Sequence, residues 1–125
     1  MAGVKVLVVD DEQETIDSLQ MYLELQGFTV FTAPNGEKAV ALINQHHPDV
    51  VLLDVNLQGS TIGGLQVLKT SKEQSPTTLV WLITGYDADK YKEEGLALGA
   101  DKFLEKPLAL DKLVELIKNS GQPST

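Results

Sequence analysis

The chain contains no cysteine. That excludes a disulfide framework, a thiolate metal site and a thiol nucleophile. It has no apolar run approaching the roughly 18 residues of a membrane span. Its first residues, MAGVKVLVVDDE, lack the apolar stretch and cleavage site of a secretory signal. A reducing cytoplasm is the expected location, with no membrane contact. Nor is there a surplus of positive charge: 10 Lys and Arg stand against 18 Asp and Glu, for a net charge of −8. Such a domain has no basic surplus with which to release counterions from a phosphate backbone, so no direct nucleic-acid binding is expected. A cation or a basic partner remains open. Neither an internal repeat nor a low-complexity block competes with a globular reading. What is present is ordinary: 125 residues, 42% hydrophobic and 22% charged, enough for one domain with one core.

The apolar residues come in short runs separated by helical patterns. Val4 to Val9 is broken only by Lys5, which suits a parallel strand covered on both faces. Gln13 to Gln26 carries Ile16, Leu19 and Leu23 on one stripe and stops at Gly27. Phe28 to Thr32 alternates as a second strand. Asn35 is placed as an N-cap for a helix with Ala39, Leu42 and Ile43 inward, ending near His47 before Pro48. His46 and His47 at that helix end suit its dipole. Asp49 to Asp54 is a third strand, followed by the glycine-rich VNLQGSTIGG. Leu65 to Glu73 reads as a helix broken by Ser75-Pro76. Leu79 to Ile83 is a fourth strand, with Trp81 in the core or against a helix. Asp87 to Leu98 is helical but weakly patterned, Lys102 to Glu105 is a short fifth strand, and Leu110, Leu113, Val114 and Ile117 mark a last amphipathic helix. Five β units alternating with five α units predict an α/β fold, a parallel sheet with right-handed crossovers and helices on both faces. Residues 1–120 form the expected domain, and 121–125 a flexible tail or the start of a linker.

In such a sheet the C-terminal ends of all strands share one edge, where ligands bind. The first strand delivers Asp10, Asp11 and Glu12 there, the third Asp54, the fourth Thr84, and the fifth is followed by Lys106. Taken singly, Asp10 or Asp11 could be a helix cap, Thr84 a strand residue and Lys106 a surface lysine. Together they form a set. Like charges about 4 Å apart repel by roughly 4 kcal/mol at an effective dielectric near 20, so the acids need an offset or good solvation. Oxygen-only carboxylate clusters suit a hard divalent cation such as Mg²⁺ (or Mn²⁺). A lysine and a hydroxyl beside it would suit a phosphoryl group.

VVDDE, LLDVN, ITG and EKP, in that order and spacing, resemble the response-regulator receiver domain (CheY-like, flavodoxin-like) of two-component signalling, over about residues 4 to 119. The resemblance implies a five-stranded parallel sheet of order 2-1-3-4-5 flanked by five helices. It implies Asp54 as phosphoacceptor, taking its phosphoryl group from a phosphohistidine on a histidine kinase or histidine phosphotransfer protein. It implies Asp11 as a direct Mg²⁺ ligand, Asp10 assisting largely through water, and the backbone carbonyl of Asn56 completing the protein's share. Thr84 and Lys106 would contact the phosphoryl group, and Phe103 stands at the aromatic switch position. The output surface would be the helix 4–strand 5–helix 5 face, read by a downstream effector protein, in a monomer or a phosphorylation-linked dimer. The domain would not be a conventional enzyme; it would catalyse its own phosphorylation and dephosphorylation.

Three features depart from the family pattern. Gln58 stands where a proline is usual, the loop to Gly64 is longer by about two residues, and the switch residue is Phe rather than Tyr. Tyr86, two past Thr84, could cover the site and slow attack by water. Three other readings compete. A haloacid-dehalogenase-type phosphatase would need a second acid where Asn56 stands, and a cap domain. A flavodoxin-like cofactor carrier would need Ser, Thr and Gly where Asp10, Asp11 and Glu12 stand. A phosphorylation-independent docking module would need none of the groups that are present.

Overall fold

Every apolar run read as a strand is a strand, and the five helices fall between and after them. The computed structural model describes residues 3–57, 61–85 and 88–120. In chain order the elements are β1 (Lys5–Val9), α1 (Gln13–Leu25), β2 (Thr29–Ala33), α2 (Gly36–His46), β3 (Val50–Asp54), α3 (Gly64–Gln74), β4 (Leu79–Thr84), α4 (Ala88–Ala97), β5 (Lys102–Glu105) and α5 (Leu110–Ser120). The sheet is parallel throughout, in the order β2-β1-β3-β4-β5. Strand order reverses on either side of β1, which opens a crevice beyond the C-terminal ends of β1 and β3.

Strand periodicity explains why the runs are apolar without alternation. Successive side chains point to opposite faces, and both faces are covered. Val6, Val8, Val50, Leu52, Trp81 and Ile83 pack with Ile16, Leu19 and Leu23 of α1 and with Leu113 and Ile117 of α5. Leu7, Val9, Val51, Leu53, Val80 and Leu82 pack with Ala39 and Ile43 of α2 and with Val67 and Leu68 of α3. Trp81 is fully buried in the first cluster, and the Lys102 ammonium lies 5.8 Å from its ring centroid.

Local chemistry sets the helix ends. Asn35 caps α2 as its residue type suggests, accepting the Lys38 N–H at 2.8 Å. His46 stacks on Phe31 at 4.2 Å between ring centroids, and His47 takes a left-handed conformation at the C-cap. Helix α3 begins one residue earlier than its apolar pattern indicates. Gly64 lets that N-terminus press against the end of β3: a Cβ there would lie 2.7 Å from the Val55 Cα and 2.8 Å from the Asp54 carbonyl oxygen. At the opposite end of the sheet polar side chains tie the strand starts to the neighbouring elements. Asp101 accepts the Val80 N–H and the Lys72 ammonium, and the Thr78 hydroxyl donates to the Pro48 carbonyl. Among the described residues no helix is long and apolar enough to cross a membrane.

Candidate functional site

Four strand ends build the site. Asp10 follows β1, its N–H bonded to the Ala33 carbonyl of β2. Asp54 is the last residue of β3, paired in register with Ile83. Thr84 ends β4 and is 1% exposed. Lys106 follows β5, and its backbone N–H donates to the Thr84 carbonyl at 2.9 Å, which fixes the stem of the lysine beside the acids. The Lys106–Pro107 peptide is cis.

Carboxylate oxygens of Asp10, Asp11 and Asp54 lie within 4.8 Å of one another. Asp10 and Asp54 are buried, at 4% and 5% exposure. Each is held in the same way. One oxygen accepts a backbone N–H two residues on: Glu12 for Asp10 and Asn56 for Asp54, both at 2.9 Å. The other oxygen faces the Lys106 ammonium, at 3.4 Å from Asp10 and 3.0 Å from Asp54. The helix-cap reading of the first acids therefore fails. The N-cap of α1 is Glu12, which makes no side-chain cap bond, and the Asp10 side chain is spent on the loop turn and the lysine.

The electrostatics follow from this packing. Burial raises the Asp10 pKa, and the neighbouring Asp54 charge adds to that; the Glu12 N–H and Lys106 offset only part. Burial by itself would lower the Lys106 pKa, but the Asp54 hydrogen bond and charge, joined by Asp10, outweigh it and hold the ammonium above its ordinary value. Three carboxylates against one ammonium leave the cluster short of positive charge. An oxygen-only donor set of this density fits a hard divalent cation, which takes one or two carboxylates and keeps several waters. The cluster opens into a groove of about 1260 Å³ bordered by Asp11, Asp54, Asn56 and Lys106, with Leu19 and Leu57 on its walls. That leaves room for a group delivered from outside.

Of the residues singled out in the sequence, the structure brings together Asp10, Asp11, Asp54 and Lys106, with Thr84 and Asn56 at the same edge. Phe103 is half-buried on the other side of Thr84's strand, packed with Leu82 and the second core cluster rather than at the acids. Gln58 and Tyr86 lie outside the described residues. One site neighbour was not singled out by sequence. The hydroxyl of Tyr91, in the weakly patterned α4, donates to the Asn56 side chain at 3.3 Å. Its position seven residues past Thr84 was the available signal, and helical periodicity did not mark it.

Comparison with known proteins supports the same family. The sequence profile of the response regulator receiver domain matches residues 6–118. A protein of Thermotoga maritima named cyclic di-GMP phosphodiesterase is 39% identical over 108 residues, which is 86% of this chain and 28% of that protein. The chain thus spans less than a third of that curated relative. Among solved structures, the receiver domain of NtrX from Brucella abortus superposes with a TM-score of 0.86 at 34% identity, covering 95% of this chain and 99% of that one. The chemotaxis protein CheY4 of Vibrio cholerae gives a TM-score of 0.86 at 30% identity, covering 95% and 99%.

Proposed function

This chain belongs to the response regulator receiver domain family, and from that premise we propose that it accepts a phosphoryl group on Asp54 and switches a partner-binding surface in response. The observation that carries the reading is the convergence of three carboxylates within 4.8 Å, with Lys106 reaching the third of them at 3.0 Å.

In the proposed reaction an oxygen of Asp54 attacks the phosphorus of a phosphohistidine on a histidine kinase or phosphotransfer protein, in line with the bond to the imidazole nitrogen. The P–N bond breaks and the imidazole leaves with the electron pair. Asp54 is held for this by the Asn56 N–H on one oxygen, so its carboxylate cannot rotate freely. The Lys106 ammonium, which contacts Asp54 Oδ2, would follow the incoming phosphoryl oxygens, and the Thr84 hydroxyl would donate to another. A Mg²⁺ or Mn²⁺ held by Asp10, Asp11, Asp54 and the Asn56 backbone carbonyl would supply charge neutralisation of the phosphoryl oxygens. After transfer, recruitment of Thr84 toward the phosphate would free space for Phe103 and alter the face made by α4, β5 and α5. An effector, on the same chain or separate, reads that face. The likeness to a phosphodiesterase more than three times as long supports an effector of the attached kind.

The test is labelling by acetyl phosphate in the presence of Mg²⁺. Wild type should take one phosphoryl group and Asp54→Ala none. Full labelling of Asp54→Ala would overturn the assignment, and an unlabelled wild type would point to a docking module that works without phosphorylation.

A further inference from the structure

Tyr91 and Gly95 are four residues apart on α4 and so share a face of that helix. That face meets two parts of the site. The Tyr91 hydroxyl donates to Asn56 Oδ1 at 3.3 Å while its ring packs on the core cluster beneath. Asn56 in turn gives its backbone N–H to Asp54 Oδ1. One turn further on, Gly95 is buried, and a Cβ there would lie 2.6 Å from both Leu82 Cδ1 and Phe103 Cζ. The absence of a side chain is what lets the Phe103 ring rest against α4. The helix is thus tied at one point to the loop that follows Asp54 and at the next turn to the aromatic ring of β5.

We infer that Tyr91 is a positioning residue for the phosphoacceptor. Its hydroxyl holds the Asn56 side chain and thereby the turn spanning residues 54–56. Because α4 carries the hydroxyl, a change at Asp54 reaches α4 through Tyr91 as well as through Phe103. The coupling is reciprocal by linkage: whatever displaces α4 also disturbs the turn. The inference rests on the function proposed above for the event at Asp54, while the Tyr91–Asn56 contact is independent of it.

A double-mutant cycle tests this. Tyr91→Phe keeps the ring in the core and removes the hydroxyl. It should slow labelling of Asp54 by acetyl phosphate by about two- to tenfold, the range of a net neutral hydrogen bond. In an Asn56→Ala background the same change should have a smaller effect, because the contact to Asn56 is gone. Without Mg²⁺ or phosphodonor, Tyr91→Phe should also shift the Asn56 side-chain amide resonances in a ¹H–¹⁵N spectrum. A merely structural tyrosine would move neither reading selectively. Multiplying effects in the double mutant, or unmoved Asn56 resonances, would overturn the inference and leave the phosphoacceptor reading standing if wild type is labelled. An unlabelled wild type whose Asn56 resonances still follow Tyr91→Phe would overturn the proposed function, and with it the role toward a phosphoacceptor, while supporting the hold of Tyr91 on the 54–56 turn.

Discussion

Replacing Gly64 by alanine tests how closely α3 must approach the end of β3 for the site to form. Helix propensity alone favours alanine over glycine by about 1 kcal/mol, so a naive expectation is stabilisation. The structure gives the opposite sign. The new Cβ would lie 2.7 Å from Val55 Cα, 2.8 Å from the Asp54 carbonyl oxygen and 3.0 Å from the Val55 carbonyl oxygen. All three are backbone atoms, so no rotamer change relieves the overlap, and α3 or the end of β3 must move. Overpacking costs about 1–3 kcal/mol in general; overlap with three backbone atoms puts this case in the upper part of that range, about 2–3 kcal/mol, leaving a net loss of about 1–2 kcal/mol after the propensity gain. For a 125-residue chain each kcal/mol lowers the melting temperature by roughly 4 °C, so Gly64→Ala should melt about 4–8 °C lower. Because the displaced atoms belong to Asp54 and its neighbour, labelling by acetyl phosphate should slow as well. Gly63→Ala is the control. A Cβ there meets nothing within 4 Å, and replacing an N-cap glycine should cost only about 2–3 °C, with the labelling rate kept. Calorimetry and a labelling time course on the two variants decide the matter. Wild-type melting and rate in Gly64→Ala, or greater damage from Gly63→Ala, would show that the close approach of α3 to β3 does not set the site.

Two further outcomes follow from the charges. In metal-free protein Lys106→Met leaves the buried Asp10 and Asp54 facing each other without a cation. It should lose about 1–3 kcal/mol in urea unfolding, below the value for a fully buried pair because Lys106 keeps 29% exposure; an unchanged or higher midpoint would contradict this. Asp10 sets a pH dependence. Burial and the Asp54 charge raise its pKa in the folded protein, so the folded state holds that proton more tightly than the unfolded chain. Its contribution to stability is full below the ordinary value of 3.8 and is lost as pH rises through the raised value. With EDTA present, the urea midpoint of wild type should fall relative to Asp10→Asn over that interval. A constant difference from acid to neutral pH would count against the raised pKa.

Much of this was legible in the residues. Strands buried on both faces write themselves as nearly continuous apolar runs, and VKVLVV and DVVLLD ended where expected, while LVWLI ran one residue further, to Thr84. The acids could be gathered at one edge because parallel strands end together, without knowledge of any side-chain rotamer. What could not be read is what depends on contacts between distant segments. The division of each buried carboxylate between a backbone N–H and Lys106 needs the loop conformation, not the residue type. The start of α3 at Gly64 is set by the close approach to β3 rather than by periodicity, which pointed to Leu65. Tyr91 sits in the least patterned helix, and its hydroxyl finds Asn56 across 35 residues of sequence. Asp101 reads as a loop acid after Gly99, yet it completes the hydrogen bonding at the start of β4 and holds Lys72.

The claim on which the rest depends is that the acids at the strand ends are assembled to hold a hard dication and to place a phosphoryl group on one of them. The direct measurement is a phosphotransfer assay with and without Mg²⁺, followed by mass spectrometric mapping of the modified residue. A single phosphoryl group on Asp54 is expected, present with Mg²⁺ and lost in EDTA. Modification at another residue, or equal labelling of Asp54 in EDTA, would contradict it.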